Sequence, residues 1–246
     1  MKKIKLMTHA VVGYPNMEES EKLIKILAEQ SDFLELQIPF SDPIADGETI
    51  MKASEIALKN GMNTDKAFRF MEELGNYRMP KLVMCYYNQV FRYGVEKFCK
   101  RAKMSGVSGL IVPDIPPEEE RGEKFMEICE KYNLDHIRVI SPASGVERLK
   151  INAKYGKGFV YCVSHFGVTG TKTEFSNNLK KYIERVRKYF SIPVALGFGI
   201  SSSEQISKIK GLVDIAIVGS AIIKEYDKEG IAGVETFVKS LKADTI

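Results

Sequence analysis

The sequence predicts a single (β/α)8 (TIM) barrel, and two observations carry that prediction. Short apolar or β-branched runs alternate eight times with segments of helical period along the 246 residues. This alternation is typical of a parallel sheet covered by helices, and barrels of about 200–250 residues often form one domain. No Pro-, Gly- or Ser-rich linker divides the chain, so we expect residues 1–246 to form one domain. An open doubly wound sheet is the main alternative.

The eight expected strands are short runs rich in apolar residues, many of them β-branched. They span residues 4–12, 33–38, 82–86, 109–112, 137–140, 159–163, 193–196 and 213–218. Asn16, with Glu19 three residues later, predicts the N-cap of the first helix. Apolar residues at helical spacing predict further helices at 47–60, 64–74, 95–104, 118–132, 145–152, 177–189 and 202–209, and after strand eight.

Composition excludes several classes of protein. Hydrophobic residues make up 44% of the chain and charged residues 28%, which is typical of globular proteins. No apolar stretch approaches the roughly 18 residues of a membrane span, and the basic start lacks the apolar core of a signal peptide. The net charge of +4 is spread over the sequence, so we expect no nucleic-acid groove.

Cysteine and histidine spacing gives no sign of a metal centre. The four cysteines form no CxxC pair and the three histidines show no ligand spacing. Reduced thiols in a cytoplasmic protein are the expectation. The residues are Cys85, Cys99, Cys129, Cys162, His9, His136 and His165.

Glu35 is the first candidate for chemistry, because it lies inside the apolar second strand. Side chains alternate along a strand, so Phe33, Glu35 and Gln37 share one face. On the barrel interior, burial would favour a protonated carboxyl and suit Glu35 to acid–base catalysis near neutral pH. Alternatively, Glu35 faces outward or pairs with a buried Lys or Arg. The spacing leaves both orientations open.

The loop after strand two carries further carboxylates. Pro39 and Pro43 restrict its backbone and would hold Asp42 and Asp46 in defined positions, although aspartates are also ordinary turn residues. Asp46 follows Glu35 by eleven residues, which allows one carboxylate on the strand and one above it. Two acids in different environments beside one substrate form a recurring acid–base arrangement.

Glycine-rich turns follow strands six, seven and eight, at the end of a barrel where active sites lie. Gly197-Phe198-Gly199 follows strand seven, and Gly219-Ser220 opens a helical segment after strand eight. Glycines let backbone N–H groups approach an anion, so we expect a phosphate site there. The loop 164–173 either closes over a ligand or is a simple flexible connection. His136 precedes strand five, which places it at the opposite rim.

Several short sequence motifs lie one after another along nearly the whole chain. They are Gly13-Tyr14-Pro15, Leu34-Glu35-Leu36, residues 39–47 (PFSDPIADG), Tyr86-Tyr87-Asn88, Val112-Pro113-Asp114, Tyr161-Cys162-Val163-Ser164, Gly167-Val168-Thr169-Gly170, Gly197-Phe198-Gly199-Ile200 and Val218-Gly219-Ser220. The string PFSDPIADG is the most specific of them. Together they resemble the alpha subunit family of tryptophan synthase.

The resemblance implies a lyase that cleaves indole-3-glycerol phosphate to indole and glyceraldehyde 3-phosphate by a retro-aldol reaction. It assigns Glu35 as the principal acid–base group and Asp46 as the acceptor of the indole N–H. It places Tyr161 near Glu35, Thr169 on Asp46 in a closed loop, and Phe198 against the indole. It assigns the phosphate contacts to Gly170, Gly199, Gly219 and Ser220.

The resemblance also implies a partner. Members of the family work beside a beta subunit, usually as an α2β2 complex, and pass indole to it for L-tryptophan synthesis. The loop carrying Asp42 would face that subunit. Pyridoxal phosphate is expected in the beta subunit, and no cofactor is expected in this chain.

Several positions depart from the usual pattern of the family. Gln37 stands where glycine is usual, so we expect its amide to hydrogen-bond Glu35 or to crowd the pocket. His9 stands on strand one where an aromatic or apolar residue is usual. The other departures are Glu48 in place of Pro, Phe159 in place of Tyr, and His165 in place of Arg or Ala.

Two other functions stay open. Gln37 and Phe159 motivate a non-catalytic subunit that only activates a beta partner. A different phosphate-binding barrel enzyme, such as a sugar-phosphate isomerase or epimerase, is disfavoured by the pair Glu35 and Asp46 beside an apolar pocket.

Overall fold

Eight parallel strands close into a barrel in the order of the sequence, which confirms the predicted fold class. The computed structural model describes residues 3–75, 77–164, 177–197 and 199–245, without the side chains of Arg121 and Asn177. The strands are β1 (Lys5–Val11), β2 (Phe33–Gln37), β3 (Lys81–Met84), β4 (Val107–Ile111), β5 (Asp135–Ile140), β6 (Val160–Val163), β7 (Val194–Gly197) and β8 (Ile215–Val218).

Helices follow each strand and cover the outside of the barrel. They are α1 (Met17–Gln30), α2 (Glu48–Lys59), α3 (Thr64–Glu73), α4 (Tyr87–Tyr93), α5 (Val95–Met104), α6 (Glu120–Glu123), α7 (Phe125–Lys131), α8 (Val146–Tyr155), α9 (Asn177–Arg187), α10 (Ser203–Ile209) and α11 (Ser220–Ala243). The predicted cap of α1 is confirmed, because the Asn16 side chain accepts a hydrogen bond from the backbone N–H of Glu19 at 3.0 Å.

Three helical regions differ from the sequence prediction. The short helix α4 was not predicted. The helix expected over 118–132 is a 3₁₀ turn (Pro117–Glu119) followed by α6 and α7, because Lys124 takes a left-handed conformation (φ 51°) between the two helices. Gly230 interrupts α11 with a φ of 64°.

Two apolar layers position the strands. One fills the space between the strands and the helices, and the other fills the barrel interior with side chains such as Met7, Leu82, Ile137 and Ile217. Phe33 packs against the interior layer, while Glu35 and Gln37 line a cavity at its upper end. The shared face of strand two therefore points inward.

His136 lies within β5 as its second residue, not before the strand as predicted, and it is buried at the amino end. Burial lowers the pKa of His136 to about 4, so its ring is neutral near pH 7. Among the described helices, none is long and apolar enough to cross a membrane.

Candidate active site

A cavity of about 1200 Å³ opens at the carboxyl ends of the strands. Its wall includes side chains from β1, β2, the loop after β2, and β6, together with the turns after β7 and β8. The polar residues that line it include His9, Glu35, Gln37, Asp46 and Tyr161. This is the end of the barrel that active sites occupy.

Glu35 is 3% exposed and faces this cavity. Its Oε1 lies 3.3 Å from Nδ1 of His9, which is directly opposite it in the β1–β2 register. Its Oε2 is buried without a hydrogen-bond partner among the described residues. A buried carboxyl oxygen without a partner is costly for folding, and here it belongs to a residue that lines a cavity large enough for a ligand.

Asp46 is held above Glu35 by its loop and by Gln37. Its backbone N–H donates to the carbonyl of Pro43 at 3.0 Å, and the neighbouring Ala45 N–H donates to the hydroxyl of Tyr86 at 3.0 Å. The amide Nε2 of Gln37 donates to Oδ2 of Asp46 at 2.6 Å. Burial raises the pKa of Asp46 to about 6, although the bond from Gln37 and the charge of His9 oppose that rise.

The expected hydrogen bond between Gln37 and Glu35 is therefore wrong. Gln37 is the last residue of β2, so its side chain reaches the loop above the strand and binds Asp46 instead. Its Oε1 has no partner among the described residues and is buried at the cavity.

His9 is a functional candidate that sequence reasoning noted only as a departure from the family pattern. It is 7% exposed, and its Nε2 is buried with no partner in the described part of the chain. Burial alone would lower the pKa of His9, but the charge and hydrogen bond of Glu35 and the charge of Asp46 raise it above 6.5. A histidine in the middle of an apolar first strand, beside a strand with an inward glutamate, was the signal that could have identified it.

Tyr161 on β6 is buried, and this burial raises the pKa of its phenol, with the charges of Glu35 and Asp46 adding to the rise. No hydrogen bond joins Tyr161 to Glu35 in the described structure, so its role in orienting Glu35 stays a prediction. Its ring lies against Gly197, where an added Cβ would be 2.5 Å from the Tyr161 oxygen. That glycine allows β6 and β7 to hold Tyr161 in the cavity wall.

The turns after β7 and β8 bring backbone N–H groups to the same cavity. Gly199, with φ 90°, Gly219 and Ser220 all line it. Ser220 is the first residue of the 24-residue helix α11, whose N-cap, Gly219, has no side chain to satisfy the free N–H groups of the first turn. A helix start of this kind attracts phosphate through its N–H groups and its dipole.

Three of the predicted site residues lie outside the described residues. They are Thr169, Gly170 and Phe198. Within the described ranges, no group of three or more His, Cys, Asp and Glu side chains could hold a metal ion. The four cysteines are buried and free.

The cavity thus brings two buried carboxylates of different environments together with the N-terminus of a helix. In a (β/α)8 barrel this arrangement is typical of an acid–base enzyme acting on a phosphorylated substrate. The family model described as tryptophan synthase alpha chain matches residues 1–245. The chain belongs to the tryptophan synthase alpha chain family.

Curated relatives and solved structures agree with this assignment. The tryptophan synthase alpha chain of Syntrophotalea carbinolica is 42% identical over 98% of this chain and 95% of its own length. That of Methanocaldococcus jannaschii is 44% identical over 89% of this chain and 78% of its own. A tryptophan synthase structure from Mycobacterium tuberculosis superposes with a TM-score of 0.92 at 33% identity, covering 99% of this chain and 93% of that one. A tryptophan synthase complex from Pyrococcus furiosus superposes with a TM-score of 0.88 at 31% identity, covering 99% of this chain and 100% of that one.

Proposed function

We propose that Glu35 and Asp46 are the acid–base pair with which this chain cleaves indole-3-glycerol phosphate. As a member of its family the chain is a carbon–carbon lyase that releases indole and glyceraldehyde 3-phosphate. The observation that carries the residue assignment is the placement of both carboxylates, 3% and 7% exposed, on one cavity.

The reaction needs a proton on the indole carbon that leaves and needs the side-chain hydroxyl to lose one. In its protonated form, Glu35 gives its proton from Oε2, the oxygen without a protein partner, to that carbon. Asp46, ionised and held by Gln37, accepts the indole N–H as positive charge develops on the ring. The carbon–carbon bond then breaks, its electrons return to the ring, and the hydroxyl proton passes back to Glu35 as the aldehyde forms.

The phosphate of the substrate is assigned to the turns after β7 and β8. Backbone N–H groups at the start of α11 and the hydroxyl of Ser220 would hold it, with Gly199 and Gly219 leaving room for the anion. Thr169, Gly170 and Phe198 keep their predicted roles as proposals. Of these predicted contacts, Gly199, Gly219 and Ser220 border the same cavity as the two carboxylates.

The chain pairs with a tryptophan synthase beta subunit. We propose that the two form an α2β2 assembly and that pyridoxal phosphate binds in the beta subunit. We expect no cofactor in this chain and propose that it works in the cytoplasm. Four buried, free cysteines support a reducing compartment.

Indole release from indole-3-glycerol phosphate tests the assignment, first with the chain alone and then with a beta subunit added. We expect slow release alone and a strong rise with the partner. Glu35→Gln and Asp46→Asn should each lower the rate by about 10²–10⁴-fold. Glu55→Gln and Asp65→Asn are matched controls on exposed positions of α2 and α3, and they should leave the rate unchanged.

Near-native rates in both cavity variants would show that the two carboxylates are wrongly assigned. No release in either condition, with stimulation of beta intact, would instead identify a binding subunit without chemistry. Turnover of small sugar phosphates but of no indole substrate would identify a different barrel enzyme.

A further inference from the structure

Three buried polar atoms of residues that line the cavity have no partner in the described structure. They are Nε2 of His9, Oε2 of Glu35 and Oε1 of Gln37, and all are buried. Leaving a buried polar group without a hydrogen bond destabilises the folded state. Such a cluster persists in an enzyme when a bound substrate supplies the missing partners.

Among these atoms, those of His9 and Glu35 belong to one pair. Nδ1 of His9 is 3.3 Å from Oε1 of Glu35, so each side chain has one atom on the other and a second atom that is buried without a partner, and both residues line the cavity. The β1–β2 register places the two residues directly opposite each other, which fixes the pair on rigid strands. We propose that His9 and Glu35 share one proton and act as a single acid–base unit in cleavage.

The surroundings of His9 support a pair that titrates together. Glu35 faces it from β2, and Asp46 faces it from the loop after β2. On the other side, Gly219 at the end of β8 presents no charge and would bring a Cβ to 3.3 Å from the Cβ of His9. The phenol of Tyr161 on β6 faces both carboxylates. The two carboxylates are therefore the charges that act on the His9 ring in the described structure.

The pair changes what Glu35 does during the reaction, and this inference rests on the proposed function. A proton on Nδ1 of His9, which lies 3.3 Å from Oε1, holds the Glu35 carboxyl in place and leaves Oε2 for the substrate. When the Oε2 proton moves to the indole carbon, the new carboxylate already has this donor, and the hydroxyl proton then returns to Oε2. His9 is thus a positioning residue that acts through Glu35, and the pair retains its proton to a higher pH than a lone carboxyl does.

The first test measures kcat for indole release against pH in the wild type, His9→Phe and His9→Asn. Asparagine keeps an N–H donor near the position of Nδ1 but cannot hold a proton. We expect His9→Phe to lose about 10–100-fold at the pH optimum. In both variants the alkaline limb should move to lower pH by about one unit or more, because only the wild-type pair includes a group with a reference pKa of about 6.5. His9→Asn should recover part of the rate lost in His9→Phe at low pH.

A merely structural role of His9 would lower the rate equally at every pH and leave the limb in place, which would overturn the proposal. His136→Gln is the matched control, because His136 lies at the opposite end of the barrel. Its pH profile should match that of the wild type. Circular dichroism identifies any variant that fails to fold. If His9→Phe does not fold, the pH profile of His9→Asn tests the proposal.

The second test does not depend on activity. The sequence has three histidines, so NMR titration of their ring signals resolves His9, with His9→Asn identifying its peak. We expect His9 to titrate above pH 6.5 in the wild type and at lower pH in Glu35→Gln. Identical titration in both proteins would overturn the pair. If the wild type releases no indole, the proposed function has failed, and this titration alone decides the pairing.

Discussion

At the scale of single residues, the two candidate carboxylates differ because their immediate partners differ. Glu35 contacts an imidazole on the neighbouring strand, whereas Asp46 contacts the amide of Gln37. Burial raises the pKa of Asp46 from 3.8 to about 6, while the contact from Gln37 lowers it. The unfavourable free energy of burying Asp46 should therefore be measurable in the free energy of unfolding as well as in catalysis.

Asp46→Asn should make the protein more stable at pH 8. The folded state holds the Asp46 proton more tightly than the unfolded state, so ionisation removes stability as pH rises from 3.8 to about 6. A neutral asparagine avoids that loss, which is about 3 kcal/mol for a pKa raised from 3.8 to about 6, while its carbonyl still accepts from Gln37. Thermal unfolding at pH 8 and pH 4 measures the difference, which should disappear at the lower pH. A lower midpoint than wild type at pH 8 would contradict this account.

Gln37→Leu should make cleavage more sensitive to acid. Removing the amide removes a hydrogen bond that lowers the pKa of Asp46, so that pKa rises further above 3.8. More of Asp46 is then protonated at pH 6.5, where a further rise of about one pKa unit would lower the ionised fraction, and with it the rate, by about 3-fold. The difference in cleavage rate between Gln37→Leu and the wild type should become smaller toward pH 8.5, because Asp46 ionises again. Parallel pH–rate profiles of the two proteins would contradict this interpretation.

At the scale of elements, the strands were easier to predict than the helices. A buried parallel strand is a continuous apolar run, and each predicted run overlaps an observed strand. The helix α4 has only seven residues and one buried side chain, Val90, so it left little apolar period to detect. The break at Lys124 was hidden because a left-handed lysine gives no signal of its own.

In the site, the residue types were easier to predict than the contacts between them. Glu35 stood out as a charged residue inside an apolar strand, and Asp46 and the glycine turns stood out by residue type after strand ends. The contacts of His9 and Gln37 depend on which strands are neighbours and on how far each side chain reaches. The register His9 opposite Glu35 and the reach of Gln37 to Asp46 appear only in three dimensions.

The packing of β6 against β7 predicts the effect of Gly197→Ala. The new Cβ would lie 2.5 Å from the oxygen of Tyr161, within a buried layer that cannot easily move. We expect a loss of about 1–3 kcal/mol in the free energy of unfolding and slower cleavage, because Tyr161 lines the cavity. Gly122→Ala is the control, since nothing lies within 4 Å of its Cβ. Urea unfolding compares the two, and equal stabilities would show that the strand contact is looser than described.

At the scale of the whole molecule, the two ends of the described chain close the bottom of the barrel. Ile4 N–H donates to the carbonyl of Thr245 at 3.1 Å, and Lys242 pairs with Asp32 at 2.7 Å. The β1–β8 pairing completes the ring of strands. The large cavity opens at the other end, so indole that leaves for a partner must cross the carboxyl rim.

The beta subunit should therefore bind the carboxyl rim, and Phe91 tests this. Phe91 is 58% exposed on α4, which follows β3 at that rim, and Gln89 of the same helix donates to the carbonyl of Pro39 at 3.0 Å. Exposed aromatic side chains are typical of protein interfaces.

Phe91→Glu should weaken the affinity for beta by about 10-fold or more, the effect of losing one well-packed aromatic contact, without changing indole release by the chain alone. Met104 is the matched control, because it is 65% exposed at the end of α5, just before β4 and thus at the amino end. Met104→Glu should bind beta as the wild type does. Isothermal titration of each variant with beta measures both affinities. If Met104→Glu lost affinity and Phe91→Glu kept it, the partner would cover the amino end, and indole would have to leave by a route other than the open cavity.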